Sequence, residues 1–255
     1  MLAPRNDSIE VPAYNITAMT SPSTFVLVHG AWQGGWAWSR VAPLLKAEGH
    51  SVYAPTLTGL AERAGQLSKD VNLSTHIEDV CRLIIAEDLH DIVLVGHSYG
   101  GMVVSGVAER VAERIQSFVV LDGFVPEDGK AMREYWPGSI MSWLDKEASI
   151  SGGVSVPPLP AESLAVAPEN RAFVDSRATP QPYATFNEVI RLSDARERIV
   201  NKSYIRATGF RSHPFDGMVK RLQTEPGWRL ATIDSGHMPM LDTPETLAEL
   251  LVQMA

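Results

Sequence analysis

The sequence predicts an α/β fold in which a mostly parallel sheet carries helices on both of its faces. Short apolar runs that end at glycine or proline alternate with segments whose apolar residues recur at helical spacing. Parallel strands need crossover connections, and helices usually supply them. The chain has 255 residues, of which 45% are hydrophobic, so it can bury one large core.

The predicted elements follow one another in a regular order. The strands are apolar runs bounded by turn residues, and they cover residues 25–29, 50–54, 92–95, 115–121, 203–208 and 228–233. The predicted helices between them cover residues 36–48, 75–85 and 99–112. Thr75 followed by Glu78 is typical of a capping box, and Thr243 followed by Pro244 indicates the start of a last helix.

Residues 123–200 interrupt this alternation. Prolines at 157, 158, 160, 168, 180 and 182 and a flexible Ser-Gly-Gly step punctuate the segment, and only short helices at 132–136 and 186–192 are predicted there. Insertions at the carboxyl ends of strands cover the site in open α/β sheets. We therefore divide the chain into an N-terminal extension (1–23), a core (24–122 and 201–255) and a cap (123–200). Four apolar residues of the extension predict an extra edge strand: Ile9, Val11, Tyr14 and Ile16.

Composition excludes several classes of protein. The formal net charge of −8 gives no basic surface for nucleic acid or an anionic membrane. Cys81 is the only cysteine, so no intrachain disulfide can form, and its place on a helical stripe predicts a small buried side chain. No apolar run is long enough to span a membrane, and residues 1–23 lack the apolar core of a secretory signal. We expect a cytoplasmic protein, with a homodimer left open.

Ser98 is the candidate nucleophile. It lies at the centre of a G-x-S-x-G pentapeptide at 96–100, after a predicted strand and before a predicted helix. In this context the motif forms a sharp, strained turn that lifts the serine hydroxyl above the sheet. The glycines are required because a Cβ atom there would collide with the neighbouring strand and helix.

His237 is the candidate general base, because a serine hydroxyl needs a neighbouring base to attack at neutral pH. It follows the last predicted strand, and a histidine near the C-terminus after the nucleophile matches the order Ser…His of this chemistry. His97 is expected to face away from the nucleophile. Four other histidines are expected to be solvated: His50, His76, His90 and His213.

An oxyanion also needs two backbone N–H donors. Tyr99, the residue after the nucleophile, is expected to supply one. Ala31 is expected to supply the second, because it lies in the glycine-rich loop at 29–36 that follows the first core strand. Trp32 is either an anchor of this loop or a substrate contact.

The loop at 29–36 and the motif at 96–101 resemble the α/β-hydrolase superfamily, and are most similar to the plant methylesterase and hydroxynitrile lyase group. The resemblance covers residues 24–122 and 203–254. It implies the α/β-hydrolase fold, with the cap inserted after the sixth strand. It also implies a triad acid after the strand before the last, but Gly209, Phe210 and Arg211 stand at that turn and Asp216 comes several residues later.

Asp122 is the preferred candidate for the triad acid, with Asp216 as the alternative. It ends the apolar strand that follows the motif helix, where an unpartnered carboxylate would be costly to bury. Some haloalkane dehalogenases carry their acid in a similar segment.

The sequence therefore predicts a serine carboxylesterase for small, apolar or aromatic esters. Hydroxynitrile lyases typically carry threonine and lysine where Gly30 and Met238 stand, which favours ester hydrolysis. A lactone or carbamate hydrolase, a lyase, a cofactor-free oxygenase and a receptor without turnover remain alternatives.

No metal-binding or nucleotide-binding motif is present, so no metal or cofactor is implied and the expected partner is a small-molecule ester. Four residues are candidates for substrate contact: Trp32, Phe124, Trp136 and Met238.

Overall fold

The computed structural model describes residues 22–255, which form a six-stranded parallel sheet and a cap. The strands in chain order are β1 (Thr24–Val28), β2 (Ser51–Tyr53), β3 (Ile92–His97), β4 (Ile115–Leu121), β5 (Ser155–Val156), β6 (Gln181–Pro182), β7 (Asn201–Ala207) and β8 (Trp228–Ile233). The main sheet has the order β2-β1-β3-β4-β7-β8, while β5 and β6 form a separate antiparallel pair. The chain adds β2 on one side of β1 and β3 on the other, so the strand order reverses between β1 and β3. Open α/β sheets bind ligands at such a switch point.

Helices cover both faces of the sheet, as the sequence predicts. They are α1 (Val41–Ala47), α2 (Leu73–Ala86), α3 (Gly100–Val111), α4 (Gly138–Ile150), α5 (Pro168–Asp175), α6 (Ala184–Asn187), α7 (His213–Leu222), α8 (Pro239–Asp242) and α9 (Pro244–Gln253). Side chains alternate along each strand. Val26 and Val28 therefore pack towards α2 and α3, whereas Phe25 and Leu27 pack towards α1 and α9.

The start of α2 differs from the prediction. Asn72 is the N-cap, and its side chain accepts a hydrogen bond of 3.0 Å from the Thr75 N–H. The Thr75 hydroxyl accepts in return from the Asn72 N–H, at 3.3 Å. The predicted capping box of Thr75 and Glu78 is therefore wrong, because Asn72, three residues before Thr75, is the residue that satisfies the first-turn donor. The predicted start of the last helix at Pro244 is confirmed.

The segment at 123–200 lies over the carboxyl ends of the strands and contributes no strand to the main sheet. It is tied to the loop after β1 through Trp32, whose N–H donates to Gln181 Oε1 at 2.9 Å and whose carbonyl accepts from the Thr179 N–H. The cap follows β4, the fourth strand within residues 22–255. The prediction that the cap follows the sixth strand would need two further strands before Thr24. The predicted edge strand of the extension lies outside the described residues.

Candidate active site

Ser98 occupies a strained turn between β3 and α3. Its φ of 53° lies in the left-handed region, which residues other than glycine rarely adopt. A Cβ at Gly96 would lie 2.6 Å from the Gly100 carbonyl oxygen, and one at Gly100 would lie 2.7 Å from the His29 carbonyl oxygen. Both glycines are therefore required for the backbone to pass this closely, as expected from the motif.

Ser98, His237 and Asp122 form one continuous chain of hydrogen bonds. Ser98 Oγ lies 2.9 Å from His237 Nε2, and His237 Nδ1 lies 2.6 Å from Asp122 Oδ2. All three side chains are buried. With Asp122 ionised, the Nδ1–H donates to the carboxylate, which leaves Nε2 free to accept from the serine hydroxyl.

Asp122 is the carboxylate that contacts the histidine, and Asp216 is not. Asp122 Oδ1 accepts from Arg206 Nη1 at 2.6 Å and from the Ala207 N–H at 3.1 Å, so its buried charge is fully partnered. The Asp216 carboxylate also binds Arg206, but its side chain is 58% exposed. The structure thus brings the preferred candidate to His237 and leaves the alternative on the outer side of the arginine.

The two candidate oxyanion donors flank the serine. Ala31 follows β1 and Tyr99 precedes α3, and among residues 22–255 neither N–H donates to a backbone acceptor. The loop of Ala31 is held by Gln33, whose Oε1 accepts from the Gly30 N–H at 3.1 Å. Both N–H groups are therefore free for a ligand oxygen.

A cavity of about 400 Å³ opens beside Ser98 and His237. Most of its other lining residues are apolar and come from the cap and from the segment after β7: Trp136, Pro137, Ile140, Leu159, Leu164, Phe210, Pro214 and Phe215. Trp32 and Trp136 line the cavity, as predicted for substrate contacts.

Phe124 and Met238 do not line the cavity, and the structure corrects the prediction for these two residues. Phe124 is buried behind the wall, with its ring 6.3 Å from Trp136 and 5.1 Å from Phe215. Met238 is fully buried in the core at the start of α8.

The segment at 210–215 lines the cavity but was not among the substrate contacts predicted from the sequence. The rings of Phe210 and Phe215 lie 4.6 Å and 5.3 Å from the ring of His237. His213 was expected to be solvated; it is exposed but also lines the cavity, as does Arg211. The signal was the position of this segment at the carboxyl end of a core strand, where open α/β sheets place their site residues.

His76 is buried, contrary to the prediction. Its Nδ1 accepts from the Tyr99 hydroxyl at 2.9 Å, and its Nε2 donates to the Thr58 carbonyl at 2.8 Å. Burial lowers the pKa of the imidazole to about 4. The neutral ring thus connects the residue after the nucleophile to the chain after β2.

His29 plays a similar part on the other side of the candidate oxyanion site. Its Nδ1 donates to the Gly30 carbonyl at 2.8 Å, and its Nε2 accepts from the Leu57 N–H at 3.1 Å. Burial lowers its pKa to about 4 as well. His50, also expected to be solvated, is buried against Phe25.

Cys81 is buried, as predicted, and burial raises the pKa of its thiol to about 11. Within the described part of the chain, no helix is both long and apolar enough to cross a bilayer.

A family model described as the alpha/beta hydrolase family matches residues 25–250. The chain belongs to this family. The predicted resemblance and fold class are confirmed, and so is the expectation of an ester-acting hydrolase at the level of enzyme class.

Curated relatives of this α/β hydrolase are named as esterases and as a binding protein. A carbendazim hydrolyzing esterase from Nocardioides sp. (strain SG-4G) is 39% identical over 242 residues, which cover 91% of this chain and 99% of the relative. Salicylic acid-binding protein 2 from Nicotiana tabacum is 29% identical and covers 91% of this chain and 96% of its own.

Solved structures are similar along the same length. An extracellular α/β-hydrolase from a Paenibacillus species superposes with a TM-score of 0.82 at 26% identity, over 92% of this chain and 99% of its own. It is described as sharing structural and functional homology with tobacco salicylic acid-binding protein 2.

Proposed function

We propose that this α/β hydrolase is a serine carboxylesterase that cleaves small, apolar or aromatic esters through an acyl-enzyme. The observation that carries the proposal is the hydrogen-bonded chain from Ser98 through His237 to Asp122. Ser98 and His237 line the cavity. Nucleophile and base lie within hydrogen-bond reach and the base is oriented by a third group, which is the arrangement that activates a serine.

Each residue of the chain has one role in the proposed reaction. His237 takes the proton of the Ser98 hydroxyl as the oxygen attacks the ester carbonyl, and Asp122 holds the imidazole in the required tautomer. The N–H groups of Ala31 and Tyr99 bind the oxyanion. His237 then gives its proton to the leaving alcohol, and water activated by the same base releases the acid.

The cavity supports the substrate class. A volume of about 400 Å³ suits a small molecule, and pockets of this kind bury most of the surface of their ligand. The walls are aromatic and aliphatic, and they include Trp32, Trp136 and Phe215. An apolar acyl or aryl group can desolvate against them, while the ester carbonyl lies at Ser98.

Hydrolysis of a p-nitrophenyl ester series by the wild type, Ser98→Ala and Ser163→Ala tests the proposal. Ser163 is a matched control, because it lines the same cavity but donates only to the Pro160 carbonyl. We expect Ser98→Ala and His237→Ala each to lower kcat by at least about 10³-fold, and Ser163→Ala to stay within a few-fold of the wild type. Equal activity of Ser98→Ala and the wild type would refute the role of Ser98.

Carbamate hydrolysis is a second candidate, favoured by the similarity to the carbendazim hydrolyzing esterase. Carbamates and esters present the same carbonyl to the serine, so the machinery does not separate them. Comparing kcat/KM for carbendazim with that for a methyl ester of similar size decides which class is preferred.

We also propose a cytoplasmic location, which cell fractionation tests.

A further inference from the structure

We propose that Arg206 is a positioning residue that orients the Asp122 carboxylate and, through it, lowers the proton affinity of His237. The inference rests on the proposed function, because it assigns the arginine a part in the same reaction. Arg206 does not line the cavity beside Ser98, so it acts on the reaction through Asp122.

The arginine is fixed on all sides. Its side chain is 9% exposed, and Nη1 donates to Asp122 Oδ1 at 2.6 Å. On the outer side, Nε and Nη2 donate to Asp216 Oδ1 at 3.1 Å and 2.8 Å. Nη2 also donates to the Phe210 carbonyl at 2.6 Å. A guanidinium held by this many acceptors has one position, and it ties the end of β4 to the segment after β7.

The contacts divide the two oxygens of Asp122. Oδ1 accepts from Arg206 and from the Ala207 N–H, whereas Oδ2 accepts from His237 Nδ1. Arg206 therefore sets the rotation of the carboxylate so that Oδ2 faces the imidazole. Without the arginine, the backbone N–H of Ala207 is the remaining donor on the Oδ1 side.

The charge of Arg206 opposes that of Asp122 at the histidine. A lone carboxylate beside an imidazole stabilises the imidazolium and raises its pKa. A cation on the far oxygen of the carboxylate offsets part of this stabilisation. Burial disfavours the charged guanidinium, but the Asp122 and Asp216 carboxylates outweigh burial and hold the pKa of Arg206 above its usual value.

The other groups around His237 do not supply a competing charge from within the protein. The Nε2 of His97 lies 2.7 Å from the His237 carbonyl, and burial, aided by the nearby His237, keeps the pKa of His97 well below its usual value. Phe210 and Phe215 cover the ring with apolar surface.

The remaining titratable groups lie farther out. Tyr204 packs beside Asp122 and is neutral, because burial raises the pKa of its phenol. Arg211 and His213 line the cavity mouth and are exposed, so solvent screens them.

The test is the pH dependence of kcat/KM for a p-nitrophenyl ester, whose acid limb reports the pKa of the essential base in the free enzyme. In Arg206→Met we expect the limb to move to higher pH by about one unit, as for loss of a unit charge one carboxylate away. We expect kcat to fall about 10- to 100-fold, because the carboxylate loses its orientation, while KM changes little.

Two further variants separate charge from geometry. Arg206→Lys keeps the charge but loses the planar fork, so the limb stays near its wild-type position while kcat falls. Asp216→Asn removes the outer counter-charge, so the limb moves by about 0.3 unit in the opposite direction, towards lower pH. Asp216 is largely exposed, and this variant tests the inference even if Arg206→Met does not fold.

A wild-type limb in Arg206→Met, or a limb that stays in place or moves upward in Asp216→Asn, would overturn the inference and leave Arg206 as a structural residue. Failure of the proposed function has a different signature. In that case Ser98→Ala retains ester hydrolysis, whatever the position of the acid limb in the arginine variants.

Discussion

Replacing Asp122 with asparagine tests the candidate triad most directly, because the surrounding donors dictate how the new amide must lie. Arg206 Nη1 and the Ala207 N–H both point at the Oδ1 position and need an acceptor there. The amide oxygen must occupy that position, which turns the amide NH₂ towards His237. His237 Nδ1 then has to accept a hydrogen bond, so its proton moves to Nε2.

This tautomer cannot take the proton of Ser98, because Nε2 already carries one. The expected loss in kcat is about 10⁴-fold at neutral pH, which corresponds to about 5 kcal/mol of transition-state stabilisation. Asp216→Asn is the matched control, because it neutralises the second carboxylate on the same arginine. It should keep kcat within about threefold of the wild type.

The assay is steady-state hydrolysis of a p-nitrophenyl ester by both variants, with far-UV circular dichroism to verify folding. A folded Asp122→Asn enzyme with more than a tenth of wild-type kcat would refute the reasoning. An Asp216→Asn enzyme that is far slower than Asp122→Asn would transfer the role of the acid to Asp216.

Four other variants test the packing, a buried histidine and the cavity. Gly101→Ala should destabilise the fold by about 3 kcal/mol or more in a thermal-shift assay, since its Cβ would lie 2.1 Å from the Phe124 carbonyl oxygen. Gly217→Ala, with open space around it in α7, should instead stabilise by about 0.5–1 kcal/mol. The pKa of His76 is about 4 in the folded state and 6.5 in the unfolded state, so the unfolded state binds the proton first as the pH is lowered. The free energy of unfolding therefore falls as the pH decreases from about 6.5 to about 4. His76→Gln should remove about 2 kcal/mol of that fall, measured by urea denaturation at pH 7 and pH 4.5; an unchanged difference would contradict the burial argument. Trp136→Ala should raise kcat/KM for bulkier acyl chains relative to acetyl by about tenfold, and an unchanged preference would show that this wall does not limit acyl size.

The core elements were readable from sequence because their patterns are dictated locally. The run at 92–95 has no polar side chain to place on a solvent face, and the glycines at 96 and 100 allow the sharp turn at the serine. His237 was predicted from its position after the last strand and near the C-terminus. Asp122 was predicted as a carboxylate at the carboxyl end of an apolar strand, where burial requires a partner.

Arg206 and the buried histidines could not be read in this way. Arg206 lies within a core strand, and nothing in its neighbourhood in sequence indicates that its partners are Asp122 and Asp216. His76 occupies the buried face of α2, but its partners Tyr99 and Thr58 are 23 and 18 residues away. Contacts across such separations are set by tertiary packing.

The cap was the least readable region for the same reason. Its prolines predicted only short helices, whereas α4 (Gly138–Ile150) is long, and the pattern did not show which aromatic side chains reach the cavity. Phe124 and Trp136 are both aromatic residues of the cap, but Phe124 is buried behind Trp136.

With Asp122 as the proposed acid at the end of β4, the turn after β7 needs no catalytic carboxylate. Ser98 and Asp122 follow adjacent strands paired in register, and the Ser98 N–H donates to the Leu121 carbonyl, so their spacing is fixed by the sheet itself. Phe210 and Phe215 pack on the His237 ring, but Arg211, Ser212 and His213 line the cavity between them, and we expect these three side chains to tolerate substitution. Libraries confined to Arg211, Ser212 and His213 should change which ester is accepted while the chemistry is retained, which makes this short segment the natural place to redirect the enzyme.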